Sequence, residues 1–234
     1  MALLQLIQNV ADELGMSRPS AVVSSSDQQV RTWLRLANRE GEELSRRHPW
    51  QLLRKEASFT TAATASQGAL TTIASDFGRY VNESMFNRTT NEKWYGPLTP
   101  QQWQRIQASV GLVTLRKMFT IRGGLLLATP TPTASQTVKF EYISTQWCES
   151  SGGTDQSAWA ADADVSLLPQ RLIELGVIWR WKKSKGLEYA EDFSDYEKAV
   201  ANEIMADGGS AIGSLDVPCE VPPGISPPDG GWSL

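Results

Sequence analysis

Between Ser24 and Trp50 the chain carries a helical signal long enough to dictate what can pack around it. Ser25 and Ser26 offer side-chain acceptors, each followed three residues on by Gln28 or Gln29, the capping-box spacing that satisfies unpaired first-turn N–H groups. Asp27 adds negative charge at the positive end of the helix dipole. Val30, Trp33, Leu34, Ala37, Gly41 and Leu44 recur at helical spacing, while Arg31, Arg35, Arg39, Glu42, Glu43 and Arg46 fall mostly elsewhere on the wheel. One face is therefore core and the other is solvated or bound. Arg46, Arg47 and His48 place positive charge at the carbonyl end, and Pro49 disfavours helical geometry at His48. From Asp27 to Arg47 such a helix spans roughly 30 Å, the width of a small domain.

The same spacing predicts an N-terminal helix through Leu3, Leu4, Ile7, Val10, Ala11 and Leu14, ended at Gly15. Past Pro49 the period changes. Near-alternation from Trp50 to Phe59, a small-residue loop from Thr60 to Gln67 and a strand at 70–74 mark a β region, and 76–82 fits either a further strand or a helical turn. Thr99 as N-cap and Pro100 as first residue open a short helix containing Trp103 and Ile106. Val113, Leu115, Lys117, Phe119 and Ile121 alternate toward Arg122-Gly123-Gly124, a tight hairpin turn from which 125–128 returns. Val138, Phe140 and Tyr142 mark a last strand running toward Trp147. A polar stretch at 149–157 and a small acidic one at 160–164 lead back to helix. Pro169 opens one with an apolar stripe at Leu172, Leu175, Gly176 and Trp179, and Tyr189, Phe193, Tyr196, Val200 and Ile204 mark another. The expectation is an α+β fold: an α-helical bundle body with an inserted antiparallel β region and an extended C-terminal arm. Its parts are 1–54 and 148–206 for the body, 55–147 for the β-rich insertion and 207–234 for the arm.

Of 234 residues, 41% are hydrophobic and 21% charged, enough for one large domain or two small ones. The net charge of -4 argues against a protein whose main business is gripping nucleic acid over a wide basic surface. Cys148 and Cys219 lie far apart without metal-type spacing and read as free thiols in a reducing cytoplasm, with a single bridge between them as the alternative. His48, the single histidine, has no second histidine for a metal pair, and its position at a helix end predicts capping or packing. Asp155, Asp162 and Asp164 lack the Asp-x-Asp-x-Asn-Gly template, which favours a loop or capping role over a cation site. No Gly-Gly pair leads into a phosphate-binding loop, and one histidine without a nucleophile elbow makes a hydrolase the weakest class. No catalytic residue, metal or cofactor is expected. The first residues lack the basic start of a signal peptide, and no apolar run approaches the ~20 residues of a membrane span, so a soluble protein without membrane contact is expected.

Trp33 and Trp179 fall at core-facing helical positions, whereas Trp94, Trp147, Trp159 and Trp232 lie in or near loops and suit contacts with another chain. A carbohydrate-binding module, with tryptophans on a solvent-facing β surface, is the alternative use for them. Arg46-Arg47, Arg54-Lys55 and Lys182-Lys183 with Lys185 read as solvated helix ends or as contacts to nucleic acid. From Asp207 onward glycine and proline exclude regular elements, yet Leu215, Val217, Pro218, Val221, Pro222, Pro223, Ile225 and Trp232 space apolar anchors along the segment. An extended arm docking in a partner's groove accounts for them, against a loose terminus with incidental apolar residues.

Several stretches are similar to the adaptor proteins of tailed bacteriophages, in particular the tail tubular protein A type of short-tailed phages. They are Ser24-Ser25-Ser26-Asp27-Gln28-Gln29-Val30 followed by Leu36-Ala37-Asn38-Arg39-Glu40-Gly41; Pro49-Trp50; Asp76-Phe77-Gly78-Arg79-Tyr80-Val81-Asn82; Asn87-Arg88-Thr89-Thr90; Gly96-Pro97-Leu98-Thr99-Pro100-Gln101-Gln102-Trp103; and Glu141-Tyr142-Ile143-Ser144 before Trp147. The resemblance runs from about residue 1 to 205 and contains no catalytic fingerprint. It implies a structural protein of the virion neck, assembled as a homo-oligomeric ring, a dodecamer, beneath the portal protein. Such a ring extends the DNA channel and docks the tail nozzle or other tail proteins, with transient contact to genomic DNA. In that setting the anchors of the arm are expected to dock on the portal or a neighbouring copy. Arg46, Arg47, Lys182, Lys183 and Lys185 become candidate channel-facing residues, and Trp94, Tyr95, Arg122, Trp147 and Trp159 candidate tail-facing or inter-subunit ones.

Overall fold

The computed structural model describes residues 2–108 and 116–208. Helix α1 (Leu3–Glu13) buries Leu3, Leu6, Ile7, Val10 and Ala11, and the chain turns out of it at Gly15 with φ +67°, a backbone state without steric cost only for glycine. Helix α2 (Gln28–Arg47) buries Val30, Trp33, Ala37, Gly41 and Leu44 as the periodicity requires. Its cap is Asp27, whose carboxylate accepts the Gln29 N–H at 2.8 Å; the capping box expected at Ser25 and Ser26 does not form, and Ser25 instead accepts the Asp27 N–H at 3.2 Å. One aspartate thus supplies both the charge and the cap.

A 3₁₀ turn at Gln51–Leu53 leads into the insertion, where β1 (Arg54–Thr60), β2 (Ser66–Ala69), a one-turn helix α3 (Leu70–Ile73) and β3 (Phe77–Tyr80) follow. The strand expected at 70–74 is therefore helical: Ala74 N–H returns to the Leu70 carbonyl, and this turn buries Leu70. Next come β4 (Phe86–Asn87), β5 (Glu92–Lys93), α4 (Pro100–Ala108), β6 (Met118–Arg122), β7 (Leu125–Thr129) and β8 (Thr137–Ser144). Thr99 caps α4 as predicted, and Gln102 adds a return bond, so side chain and backbone pair in both directions. Gly123 and Gly124 both take positive φ in the two-residue turn joining β6 to β7. Residues 113–115 of the predicted strand lie outside the described residues.

Within the insertion, β8 is the spine. It pairs antiparallel with β1 from Arg54↔Ile143 to Thr60↔Thr137, and with β3 and then β4 on its other edge, β5 completing that sheet beyond β4. A second sheet, β2-β7-β6, lies against it. Phe59, Met85, Trp94, Phe119, Leu126, Val138 and Phe140 form their common core.

The stretch after Trp147 is more ordered than its polarity suggests. β9 (Cys148–Glu149) pairs with β10 (Asp155–Gln156) and with β11 (Val165–Ser166), and Ala2 bridges Val165, tying this small sheet to the N-terminus. Helices α5 (Gln170–Ser184) and α6 (Ala190–Gly208) complete the body. Although α2 carries the clearest amphipathic pattern, α5 is the helix packed against α1, α2 and α6 alike. Enclosure by three neighbours explains why its buried residues (Leu172, Ile173, Val177, Ile178, Arg180, Trp181) surround it, whereas the expected stripe leaves Leu175 and Trp179 only half-buried.

Two joints hold insertion to body. Trp147, just past β8, lies flat on Gly41 of α2, where a Cβ would come within 2.5 Å of its ring, and it meets Trp159 edge-on at 5.1 Å. The second is the ion pair from Lys55 to Asp155 of the small sheet, braced within the insertion by Asp76. The Asp76 carboxylate accepts from Lys55 Nζ (2.6 Å), Tyr142 OH (2.6 Å) and Ser144 Oγ (2.8 Å). Burial opposes ionisation of Asp76, but the hydrogen bonds from Lys55, Tyr142 and Ser144 outweigh it and lower the pKa from 3.8 to about 2.

Two outcomes follow from these joints. Gly41→Ala overpacks the Trp147 seat and should cost about 1–3 kcal/mol, seen as a melting temperature lower by several degrees. For Asp76, a folded-state pKa depressed below the unfolded value stabilises fully above about pH 4 and is lost as pH falls toward 2. In urea titrations the wild type should exceed Asp76→Asn by roughly 2.5 kcal/mol at neutral pH, and the gap should narrow progressively below pH 4.

Candidate docking surfaces

The basic helix ends gather around one aromatic cluster. On α5 and α6, Trp179 meets Phe193 edge-on at 5.0 Å, with Tyr189 and Tyr196 beside it at 6.4 and 6.1 Å. Arg180 and Lys183 sit over the Trp179 ring, Lys183 also over Tyr189, and Arg47 over Tyr196. Arg46 and Arg47 of α2 complete a groove of about 520 Å³ with Glu43 and Glu197. Arg47 is bidentate to Glu197, Arg46 pairs with Glu42, and Lys182 donates to both Asp192 oxygens at 2.7 Å. Lys185 stands apart over Trp181. Of the five cations expected to face a channel, Arg46, Arg47 and Lys182 have a carboxylate of the same subunit beside them, whereas Lys183 and Lys185 are exposed with aromatic rings as their near neighbours.

The insertion presents a second surface. Tyr95 is exposed, with Lys93 at 5.8 Å and Arg116 at 5.2 Å from its ring, and Lys117 and Glu92 border the same hollow. Arg122 is exposed at the β6–β7 turn. Trp94, Trp147 and Trp159, expected in contact-making loops, are buried at 0%, 1% and 6% exposure and serve the two cores. Their loops are short and fold inward, so flanking turn residues are a poor guide to exposure in a chain this rich in tryptophan. These three side chains accordingly supply no stacking platform of the kind a carbohydrate-binding module presents.

The residues considered for chemistry have structural occupations. Asp162 accepts from the Val22 and Val23 N–H groups, and Asp164 from those of Ala160 and Ala161. His48 lies edge-on to Trp50 and 3.2 Å from Asp207, which also accepts the Gln51 N–H. Burial, then the charges of Asp164 and Asp155, push the Cys148 thiol up to about 12, so it is protonated at neutral pH. No group of three or more His, Cys, Asp or Glu suited to a metal ion occurs among the described residues, and none of their helices is long and apolar enough to cross a membrane. Leu215, Val217, Pro218, Val221, Pro222, Pro223, Ile225 and Trp232 of the expected arm, with Cys219, lie outside the described residues.

Sequence reasoning missed the buried ion network behind the aromatic groove. Glu40 is fully buried on α2, ion-paired with Arg180 of α5 and accepting Tyr196 OH of α6 at 2.5 Å; Arg180 also reaches Glu43. The one available signal was Glu40 falling beside Ala37, Gly41 and Leu44 on the apolar arc of the wheel.

No curated protein matches the chain. A match to the SU10 adaptor protein family covers residues 1–218, which takes in both halves of the helical body and the whole insertion. The chain therefore belongs to the SU10 adaptor protein family, non-enzymatic structural proteins that act as bacteriophage head-to-tail adaptors.

Proposed function

We propose that the protein closes into a ring, a dodecamer, beneath the portal of a short-tailed phage, extends the DNA channel and docks the tail nozzle, in the manner of tail tubular protein A adaptors. Family membership across residues 1–218 carries the reading, and the stretches named above that resemble the tail tubular type narrow it. The virion neck is its place of action. The division of labour is as follows. The helical body faces the portal, the insertion serves the tail side or the adjacent copy through Tyr95 and Arg122, and the arm expected over 207–234, of which Asp207 and Gly208 end α6, docks on the portal. Lys183 and Lys185, whose near neighbours are aromatic rings, are the cations best placed to meet passing DNA; weak contact suits a conduit, since strong phosphate binding would retard transit.

Mixing purified protein with its cognate portal ring and imaging by electron microscopy should show a ring of added density below the portal, with twelve repeats. Portal rings left bare by folded protein would reject the reading. A chain ending at Gly208 keeps the Asp207 contacts to His48 and Gln51, so it should melt like the full chain while joining portal at least tenfold more weakly. Undiminished joining by this shortened chain would remove the arm from the docking scheme.

A further inference from the structure

The groove of about 520 Å³ on the helical body is walled by aromatic rings. Trp179 of α5 is half-buried there, Phe193 of α6 is 39% exposed, and Tyr196 lies buried beside them. Arg46, Arg47 and Arg180 line it as well, but so do Glu43 and Glu197, which are ion-paired with Arg180 and Arg47. Net charge therefore gives this groove little pull, and ring faces are its distinctive chemistry. Proline-rich segments bind in aromatic-walled grooves of this kind, because polyproline II backbone is extended beforehand and loses little entropy on seating.

The chain itself contains such a segment. Residues 209–234 carry Pro218, Pro222, Pro223, Pro227 and Pro228, interleaved with Leu215, Val217, Val221 and Ile225. Their charged residues are Asp216, Glu220 and Asp229, without a Lys or Arg to be repelled by Arg46, Arg47 and the exposed Lys183 at the rim.

Starting point and length favour this occupant. Asp207 accepts the Gln51 N–H and lies 3.2 Å from His48, the residue directly after Arg47 of the groove wall. From Gly208, Phe193 lies roughly 22 Å back along α6 at 1.5 Å per residue. A polyproline-type segment rising about 3.1 Å per residue covers that distance in about seven residues, which brings Leu215, Val217 and Pro218 level with the rings. The stretch before them, Gly209-Ser210-Ala211-Ile212-Gly213-Ser214, is small and glycine-containing, as a reversal of direction requires.

We infer that in the unassembled subunit the segment from Leu215 onward lies in the Trp179 groove of its own chain. The arm is then held in reserve until the portal offers a better seat. That consequence rests on the portal reading given above, whereas the groove is tested on protein alone, so the failure of one is distinguishable from the failure of the other.

A fluorophore on the arm makes the test. In full-length protein with Cys148→Ala, Cys219 is the only thiol, and Trp232→Phe removes the arm's own indole. Bimane attached at Cys219 is quenched on approach to an indole. Replacing Trp179→Phe in this chain should raise bimane emission at least about twofold, as expected when a tethered segment fills its site in most molecules. Phe193→Glu, at an exposed position, should release the arm and raise emission similarly, with the fold of each variant checked by circular dichroism. Quenching should be independent of protein concentration. Emission unmoved by both substitutions would overturn the inference. Quenching that grows with protein concentration would place the arm on a second copy and overturn it as well.

Discussion

A buried carboxylate is tolerated only where its charge is met at short range, and Glu40 makes that demand in the middle of the helical body. Its partners come from two other helices, Arg180 on α5 and Tyr196 on α6. Gly176, also on α5, lies so near Glu40 that a Cβ there would collide with its side chain. The requirement is therefore both electrostatic and steric: α5 must present its glycine and its arginine to one point on α2, and α6 must bring a hydroxyl to the same point. Apolar packing alone would tolerate sliding of these helices by a turn; the ion network does not. The aromatic and basic groove on the outside of the body inherits its geometry from this network, because Arg180 and Tyr196 belong to both.

The outer surfaces divide cleanly by their relation to this interior. On the body, most exposed cations near the groove are balanced by carboxylates of the same subunit, whereas the insertion carries positive charge in excess of its own acids. An adaptor has to hold partners above, below and beside it without arresting DNA, and separated, moderate charge serves that purpose better than one strongly basic face.

Much of this architecture is legible in the residues, and the exceptions have physical causes. Long amphipathic signals read true: α1, α2, the Thr99-Pro100 start of α4 and the Gly123-Gly124 turn are each fixed by local chemistry. Helix α5 hid its importance because enclosure on several sides erases the amphipathic stripe that sequence reading relies on. The one-turn helix at 70–73 and the two-residue strands β9, β10 and β11 are set by distant partners such as Leu167 N–H on the Trp147 carbonyl, and no local pattern announces them. Tryptophan positions were legible as important but not as buried, since a short loop can turn a large ring inward as easily as outward. At the candidate surfaces, the exposure of Tyr95 and Arg122 agrees with their places in turns, whereas the buried pairing of Glu40 with Arg180 had no local signal beyond a carboxylate on an apolar arc.

The pairing of β1 with β8 sets how the molecule carries mechanical load. Both strands run between insertion and body side by side, so a pull on the far end of the insertion stretches two backbones in parallel instead of peeling one strand from the other. Each backbone then meets an indole seated on the same helix: Trp50, whose Nε1 donates to the Leu44 carbonyl, and Trp147, flat against Gly41. Traction applied through the insertion is thereby delivered to a short segment near the C-terminal end of α2. That segment is the fulcrum of the subunit, and its stiffness governs how far the insertion tilts before the body gives way.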